Sequence, residues 1–187
     1  MKIAVIGGIG SGKSKVISIL SQYGERVCDC DKIYKEVCES PDYIRSIDEN
    51  FHTVKDGRID KKALASIVFS DKEKLGLLNS LAHPLVLKAL DRIYRADSSD
   101  IFAEISAFDV KMKDSFDTII LVRSQRATRV SRIKDRDGHS DDYINLIMES
   151  QLSDEEMESL ADFVIVNDAD EQALESQVEW ILQWLKK

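Results

Sequence analysis

The sequence predicts an α/β fold with a mainly parallel sheet of five strands. Short apolar runs of strand length recur along the chain, and segments with helical periodicity separate them. A glycine-rich turn also joins the first run directly to a helix, as in a parallel βα unit. The five runs cover residues 2–6, 26–29, 101–105, 118–122 and 163–166. Because strands that alternate with helices pair in one direction, we expect a sheet that is buried on both faces.

The first strand, KIAVI at residues 2–6, ends in glycines and leads into a helix over residues 13–23. Apolar residues recur at helical spacing along that helix, and Gly24 is expected to end it. After the second strand comes a long insertion, residues 31–99, whose periodicity is helical wherever it is regular. Helices are predicted there at 63–69, 72–82 and 84–95. Pro84 is expected to begin the last of them, in a first turn where no backbone hydrogen bond is lost.

Two more helices, at 125–135 and 141–152, are predicted after the fourth strand, with the loop RDGHS between them. The closing helix, residues 171–186, is amphipathic, and Trp180 and Trp184 on it are expected to pack in the core. Its other inward residues are Leu174, Val178, Ile181, Leu182 and Leu185. The elements together predict one domain over residues 1–187, with a separate helical lobe at 31–99. Its core comprises residues 1–30, 100–131 and 153–187.

The composition restricts the partners of the protein. The 187 residues carry a formal net charge of −8 at pH 7. A negative long-range field repels nucleic acids and anionic membranes, so neither is expected as a partner. No run approaches the roughly 20 apolar residues of a membrane span, and no signal peptide precedes KIAVI, so we expect a cytoplasmic protein. Cys28, Cys30 and Cys38 are odd in number and crowded, which favours buried thiols over disulfides or a zinc site.

The segment GGIGSGKS at residues 7–14 satisfies the spacing G-x-x-x-x-G-K-[ST] between a buried strand and a helix. Glycines let the backbone turn so that successive amides point at phosphates, and the N-terminus of the helix adds partial positive charge. Lys13 is then expected to reach the β and γ phosphates of ATP, and Ser14 to ligate Mg²⁺. The sequence therefore predicts a three-layer P-loop fold. The motif alone does not separate a kinase from an ATPase or a switch protein.

Carboxylates at the ends of two predicted strands favour a phosphotransferase. Asp29 and Asp31 follow the second strand, where a carboxylate beside the γ phosphate can orient the attacking hydroxyl and accept its proton. A helix N-cap is the alternative role for one of them. Glu104 ends the third strand, where it can hold magnesium through water or be an ordinary strand-end residue.

Arginines follow the fourth strand on one face of a helix. Their four positions, 126, 129, 132 and 136, fall within about 120° of helical arc. Such a stripe is either a solvated face or a phosphate-clamping lid, and its place beside RDGHS favours a lid over residues 132–152. Arg132 and Arg136 are the best candidates to contact phosphates. His83 either lines a substrate pocket or has a structural role at a turn.

An ordered set of motifs runs along nearly the whole chain. Its members are GGIGSGKS, D-C-D at 29–31, H-P at 83–84, R-x-x-x-R-D-G-x-S at 132–140, Gln151, Ala161-Asp162 and Asn167. This set resembles the dephospho-CoA kinases. The resemblance implies a P-loop core with a five-stranded parallel sheet, a helical CoA-binding lobe and a lid. It also implies the reaction, which is phosphorylation of the ribose 3′-hydroxyl of dephospho-CoA with ATP and magnesium in the last step of CoA synthesis.

The resemblance also implies roles for individual residues. Asp31 would be the base for the hydroxyl, and Lys13, Arg132 and Arg136 would complete the catalytic set. Asp29, His83 and Glu104 would contact the substrate. The ATP-binding residues would be Gly8, Ile9, Gly10, Ser11, Gly12, Lys13, Ser14, Lys15 and Asn167, the last beside the adenine.

The chain departs from the family pattern in three places. Ile6 and Lys15 stand where the family usually has threonine. The segment IFAEISAFDV at 101–110 replaces a common D-x-P-L-L-F-E, with Glu104 at the aspartate, Ser106 at the proline and Val110 at the final glutamate. Asp109 could substitute for that glutamate if the loop shifts. The alternatives to a dephospho-CoA kinase are a kinase of another small alcohol or nucleoside, and an ATP-binding regulator without acceptor chemistry. The sequence makes no prediction of oligomeric state.

Overall fold

A five-stranded sheet with all strands parallel forms the centre of the computed structural model, which describes residues 1–186. The strands of the chain are β1 (Lys2–Ile6), β2 (Arg26–Asp29), β3 (Val54–Lys55), β4 (Arg58–Ile59), β5 (Ile101–Glu104), β6 (Thr118–Arg123) and β7 (Phe163–Val166). The sheet has the order β2-β5-β1-β6-β7. Strands β3 and β4 form a separate antiparallel pair. The predicted α/β fold class is therefore confirmed.

Helices connect the strands of the sheet and fill the long insertion. They are α1 (Lys13–Gln22), α2 (Cys30–Val37), α3 (Pro41–Phe51), α4 (Lys61–Val68), α5 (Lys72–Ala96), α6 (Arg126–Asp137), α7 (Asp141–Ser150), α8 (Asp154–Leu160) and α9 (Glu171–Leu185). A 3₁₀ helix, Val110–Ser115, precedes β6. Within residues 1–186, no helix combines the length and apolar character needed to cross a membrane.

The chain divides into two compact units. The sheet unit is Met1–Asp29 with Asp97–Lys187, and the helical unit is Cys30–Ala96. Lys187, the last residue of the predicted core, lies outside the described residues. None of the three cysteines, all within residues 1–186, forms a disulfide, and Cys30 and Cys38 are buried.

The core of the sheet unit lies between β1 and helices α1 and α9. The residues Ile3 and Val5 are fully buried there, as the apolar run KIAVI predicts. The predicted inward residues of α9 are also in this cluster, with Leu185 at its margin. Trp180 and Trp184 were expected in the core, and that expectation is wrong. They are 59% and 53% exposed, because they flank the inward stripe of α9, and each makes an edge contact with the ring of Phe163.

The helical unit has its own core, formed by α3, α4 and α5 with the β3–β4 hairpin. Ile47 is fully buried in it, and the hydroxyl groups of Tyr34 and Tyr43 lie 3.2 Å apart at its margin. Burial is the main reason that the pKa of Tyr43 rises to about 12. The hairpin turns through Asp56 and Gly57, both with positive φ, as a type I′ turn requires.

Pro84 does not begin a helix. It lies inside α5, which is 25 residues long. A proline inside a helix removes one backbone hydrogen bond and costs about 3 kcal/mol. The helix nevertheless continues, since Ala82, Val86 and Leu90 bury one continuous face on both sides of the proline. Burial of each large apolar side chain contributes about 1.5–3 kcal/mol, which offsets the missing bond.

Candidate nucleotide-binding site

The glycine-rich loop between β1 and α1 is a tight turn that only glycines allow. The Ser11 N–H donates to the Gly8 carbonyl at 3.2 Å, and Gly10 has a φ of +77°. Gly12 also has positive φ, +96°, and caps α1. A side chain at Gly12 would begin 2.0 Å from Nδ2 of Asn167. The loop therefore needs glycine at both positions, for backbone conformation and for space.

Side chains cover the carbonyl side of this loop. The Ile9 carbonyl accepts a hydrogen bond from Nε of Arg129 at 3.0 Å. Arg132 donates to the Gly10 and Ser11 carbonyls at 3.4 Å. The Ser11 carbonyl also accepts from Nδ2 of Asn167 at 2.8 Å. Three successive carbonyls are therefore held by protein donors.

The amide side of the loop retains unused donors. No protein acceptor within residues 1–186 pairs with the backbone N–H groups of Gly10, Gly12 and Ser14. The Ser11 hydroxyl is 1% exposed and has no hydrogen-bond partner among the same residues. Buried or partly buried polar groups without a partner are rare in folded proteins, because each costs free energy. A ligand with several oxygen acceptors, such as a polyphosphate, fits this loop.

Lys13 places a positive charge within the loop. Its ammonium group donates to the Gly7 carbonyl at 2.8 Å, and the Gly8 carbonyl lies 3.4 Å away. The residue is 7% exposed. The carbonyl partners offset the cost of burying the ammonium, and its positive charge at the loop attracts an anion.

Oxygen groups at the start of α1 and the end of β5 form a small polar cluster. The Ser14 hydroxyl donates to Oε1 of Glu104 at 2.7 Å. Glu104 also pairs with Asp29 in the register of β2 and β5. The part of the chain that the structure describes has no group of three metal-ligating side chains. Magnesium suits this cluster nevertheless, since in phosphate sites it takes one or two protein oxygens and completes its shell with water and phosphate.

Asn167 and Asp168 follow β7, and Asn167 holds the P-loop from a second direction while Asp168 holds the loop that follows β6. The Asn167 carbonyl accepts from Nη2 of Arg132 at 3.0 Å, and its amide donates to Ser11. Asp168 accepts the Ser124 hydroxyl at 2.6 Å and the Gln125 N–H at 2.9 Å. The Ser124 bond is the main reason that the pKa of Asp168 lies below its ordinary value. Asn167, predicted beside the adenine, is 5% exposed and supports the P-loop backbone.

Comparison with known proteins identifies the family to which this chain belongs. The family model described as dephospho-CoA kinase matches residues 1–173 of the chain. The chain belongs to the dephospho-CoA kinase family. Two curated relatives carry the same description. The one from Fusobacterium nucleatum is 36% identical, with 96% of this chain and 95% of the relative covered. The one from Carboxydothermus hydrogenoformans is 35% identical, with 99% and 97% covered.

Solved structures with the same fold include one dephospho-CoA kinase. Dephospho-CoA kinase from Campylobacter jejuni is 26% identical to the chain, with a TM-score of 0.66 and 99% and 98% of the two chains covered. TT1252 from Thermus thermophilus is 30% identical, with a TM-score of 0.83 and 99% and 97% covered. Shikimate kinase from Acinetobacter baumannii shares the fold, at 14% identity and a TM-score of 0.56 over 99% and 92% of the chains. The predicted family is thereby confirmed.

Four of the site residues predicted from the resemblance to dephospho-CoA kinases lie apart from the loop or belong to the helical unit. Lys15 lies 3.4 Å from Glu171, although its backbone N–H closes onto Gly12 in the first turn of α1. Arg136 is largely exposed and pairs with Asp137. Two more belong to the helical unit: Asp31, exposed in the first turn of α2, and His83, half-buried on α5. Their roles remain predictions.

Sequence reasoning missed two residues that contact the loop in this dephospho-CoA kinase family member. Arg129 is 6% exposed and bonds both Ile9 and Asp154. Gln151 accepts the Ile9 N–H at 2.8 Å and donates to the Ser106 carbonyl at 3.2 Å. The arginine stripe includes Arg129, but helical periodicity alone does not show which of its four arginines contacts the loop. Gln151 was noted only as part of the family pattern, without a role.

Proposed function

We propose that this chain transfers the γ-phosphoryl group of ATP to the ribose 3′-hydroxyl of dephospho-CoA, which gives CoA and ADP. The bond from the 3′-oxygen to Pγ forms, the bond from Pγ to the β–γ bridging oxygen breaks, and the hydroxyl proton leaves to a base. The observation that carries the proposal is the P-loop, where three N–H groups have no acceptor among residues 1–186 on one side and bonded carbonyls lie on the other. Membership of the dephospho-CoA kinase family supports the acceptor. We expect the reaction to take place in the cytoplasm.

The P-loop residues hold the triphosphate in this proposal. The loop from Gly8 to Lys15 surrounds the phosphates, the N–H groups of Gly10, Gly12 and Ser14 donate to their oxygens, and Lys13 exchanges its carbonyl partners for the β and γ phosphates. Negative charge builds on the transferred group in the transition state, and Lys13 and Arg132 neutralise it. Arg132 already lies against the loop through Gly10 and Ser11. Arg136 joins them by leaving its exposed partner Asp137.

Ser14 and Glu104 are the residues that would hold Mg²⁺. The ion would neutralise phosphate charge and orient the γ-phosphoryl group. The hydroxyl of Ser14 and the carboxylate of Glu104 supply hard oxygen donors, and their mutual 2.7 Å hydrogen bond keeps both side chains oriented. Asp29, opposite Glu104 in the sheet register, adds negative charge at the same strand ends.

Asp31 is the proposed base for the 3′-hydroxyl, and His83 a proposed contact of the acceptor. A carboxylate at the start of α2 can orient the hydroxyl and take its proton as the new bond forms. On the acceptor side of the sheet unit, Asp109 caps the 3₁₀ helix by accepting the Lys111 N–H at 2.9 Å. The carboxylate of Asp109, which could replace the family glutamate that is Val110 here, therefore already accepts a hydrogen bond within this chain. The residues proposed for acceptor contacts in this segment therefore differ from the family pattern.

Residues 132–152 form the proposed lid. They comprise the second half of α6, the loop around Gly138, and α7. Closure of this segment over bound ATP excludes water, which limits hydrolysis and strengthens the charge interactions around the phosphates.

Mass spectrometry tests the proposal directly. The purified protein is mixed with ATP, Mg²⁺ and dephospho-CoA, and in parallel with other alcohols and nucleosides as acceptors. We expect CoA as the product, and a loss of about 10³-fold in rate for Lys13→Ala, since a charged donor to the transition state is removed. Lys186→Ala, which removes an exposed cation paired with Glu25, is the matched control and should keep the full rate. Phosphorylation of another acceptor without CoA would contradict the proposed substrate, and ATP binding without any transfer would indicate a regulator.

A further inference from the structure

Ile9, at the tip of the P-loop, is held by side chains on both of its peptide groups. Its N–H donates to Oε1 of Gln151 at 2.8 Å, and its carbonyl accepts from Nε of Arg129 at 3.0 Å. Its own side chain packs against a buried apolar cluster of α6 and α7. We call Arg129 and Gln151 the Ile9 clamp.

Both clamp residues are anchored at their far ends. Arg129 donates from Nη1 to Asp154 of α8 at 2.9 Å, and its side chain is 7% exposed. Gln151 donates from Nε2 to the Ser106 carbonyl at 3.2 Å. An arginine that bonds two partners with a rigid planar fork has little freedom to move, and the same holds for an amide bonded at both atoms. The clamp therefore fixes the orientation of the two peptide groups around Ile9.

The turn at Ile9 has two possible orientations of its central peptide. The Ser11 N–H bonds the Gly8 carbonyl, Ile9 has negative φ, and Gly10 has a φ of +77°. These features define a type II turn, in which the peptide between Ile9 and Gly10 is flipped relative to a type I turn. In one peptide group the carbonyl and the N–H point in opposite directions. When Arg129 holds the Ile9 carbonyl, the Gly10 N–H points away from α6.

We propose that Arg129, which holds this peptide, and Gln151, which holds the preceding peptide through the Ile9 N–H, are positioning residues. Together they keep the turn in the type II orientation, so that the Gly10 N–H faces the phosphates of the bound nucleotide. The inference rests on nucleotide binding at the P-loop, the first part of the proposed function. The Gly10 N–H has no protein acceptor within residues 1–186, and the Gly10 carbonyl is turned to Arg132. A flip to type I would direct the Ile9 carbonyl to the phosphate side, where two oxygens would repel each other.

Gly8 offers a second way to disturb the clamp without changing its charge. A Cβ at Gly8 would lie 2.2 Å from Nη2 and 2.6 Å from Cζ of Arg129. Gly8 does not have positive φ, so its backbone accepts alanine. Gly8→Ala is therefore expected to push the guanidinium off the Ile9 carbonyl while Arg129 keeps its charge.

Nucleotide affinity is the first measurement. We expect Arg129→Met to raise the dissociation constant for magnesium ATP by about 10-fold or more, which is the loss of one charge-assisted hydrogen bond. Gly8→Ala should produce a similar loss, and the two changes together should cost no more than Arg129→Met alone, because they break the same contact. Arg123→Met is the matched control. It removes an arginine bonded to Glu158 of the same helix α8 at 2.8 Å, and it should leave the affinity unchanged.

Amide signals in NMR spectra separate positioning from general stability. Only Gly7 and Gly10 follow an isoleucine in this sequence, so ¹³C′-isoleucine with ¹⁵N-glycine labelling selects these two signals. At equal saturation with magnesium ATP, the Gly10 signal should shift in the wild type and in Arg123→Met. It should shift much less in Arg129→Met and in Gln151→Leu.

An unchanged nucleotide affinity in folded Arg129→Met and Gly8→Ala would overturn the inference. So would an unchanged Gly10 shift at equal saturation. If Arg129→Met does not fold, Gly8→Ala and Gln151→Leu carry the same test. None of these readouts depends on CoA formation. A wild-type protein that binds ATP but makes no CoA would therefore refute the proposed acceptor and leave the clamp intact.

Discussion

In the sheet unit, the groups proposed to bind ATP are mostly backbone N–H groups of a loop whose carbonyls are held by hydrogen bonds. In the helical unit, the groups proposed for the acceptor are side chains on helices. The carbonyls of Ile9, Gly10 and Ser11 all have protein donors. Asp31, by contrast, is an exposed side chain in the first turn of α2. In the proposed reaction, donor binding therefore depends on backbone shape, which many residues support, and acceptor chemistry depends on a few single side chains.

Asp31→Asn gives the largest effect among the three variants that compare the two units, and it tests whether they divide the reaction in this way. We expect kcat for CoA formation to fall by about 10²-fold or more, because the amide cannot accept the hydroxyl proton. The dissociation constant for ATP should not change, since the P-loop backbone remains. Calorimetry and initial rates measure the two quantities. Asp42→Asn, a change at a 91% exposed side chain of the helical unit, is the control. Unchanged turnover would remove Asp31 from the mechanism.

Ser14→Ala tests a side chain within the backbone-dominated site. The Ser14 hydroxyl lies 2.7 Å from Glu104 and is a proposed magnesium ligand. We expect the magnesium concentration for half-maximal rate to rise by about 10-fold, as for the loss of one contact in a metal site. The control is Ser18→Ala, one helical turn further along α1 at an exposed position. A magnesium dependence identical to that of the wild type would show that Ser14 does not hold the ion.

Asp168→Asn gives the smallest effect and concerns the stability of the sheet unit. The Ser124 hydroxyl and the Gln125 N–H hold the pKa of Asp168 below its ordinary value. A lowered pKa in the folded state stabilises the protein above the unfolded pKa of about 3.9, and that contribution disappears as pH falls through the folded pKa. At pH 7 we expect Asp168→Asn to lower the free energy of unfolding by less than about 1 kcal/mol, because the carboxylate is exposed.

Urea unfolding from pH 7 downward measures this dependence. The difference in unfolding free energy between the wild type and Asp168→Asn should shrink below about pH 4. A difference that stays constant through this range would mean that the carboxylate charge of Asp168 does not stabilise the loop that follows β6.

The P-loop could be predicted from the sequence because its shape is encoded locally. Glycines at positions 10 and 12 permit positive φ, and a buried strand and a helix flank them. Arg129 could not be distinguished in the same way. It shares one helical face with three other arginines, and only tertiary packing against Ile9 and Asp154 buries it.

The errors in the helical unit and in α9 also have physical causes. The β3–β4 strands are two residues each, too short to show alternation, although Asp56-Gly57 is a strong turn signal. Pro84 suggested a helix start because sequence alone does not show that burial on both sides of it continues α5. Trp180 and Trp184 are apolar, but they lie outside the stripe of α9 that is buried in the core.

The most direct test of the central claim follows the γ-phosphoryl group itself. The protein receives magnesium ATP with ¹⁸O at the γ-phosphoryl oxygens, together with dephospho-CoA, and the products are analysed by mass spectrometry. The account predicts CoA that carries the labelled phosphoryl group on the ribose, because in the proposed reaction the P-loop holds the triphosphate in line with the 3′-hydroxyl. Unchanged dephospho-CoA with labelled inorganic phosphate in solution would contradict it.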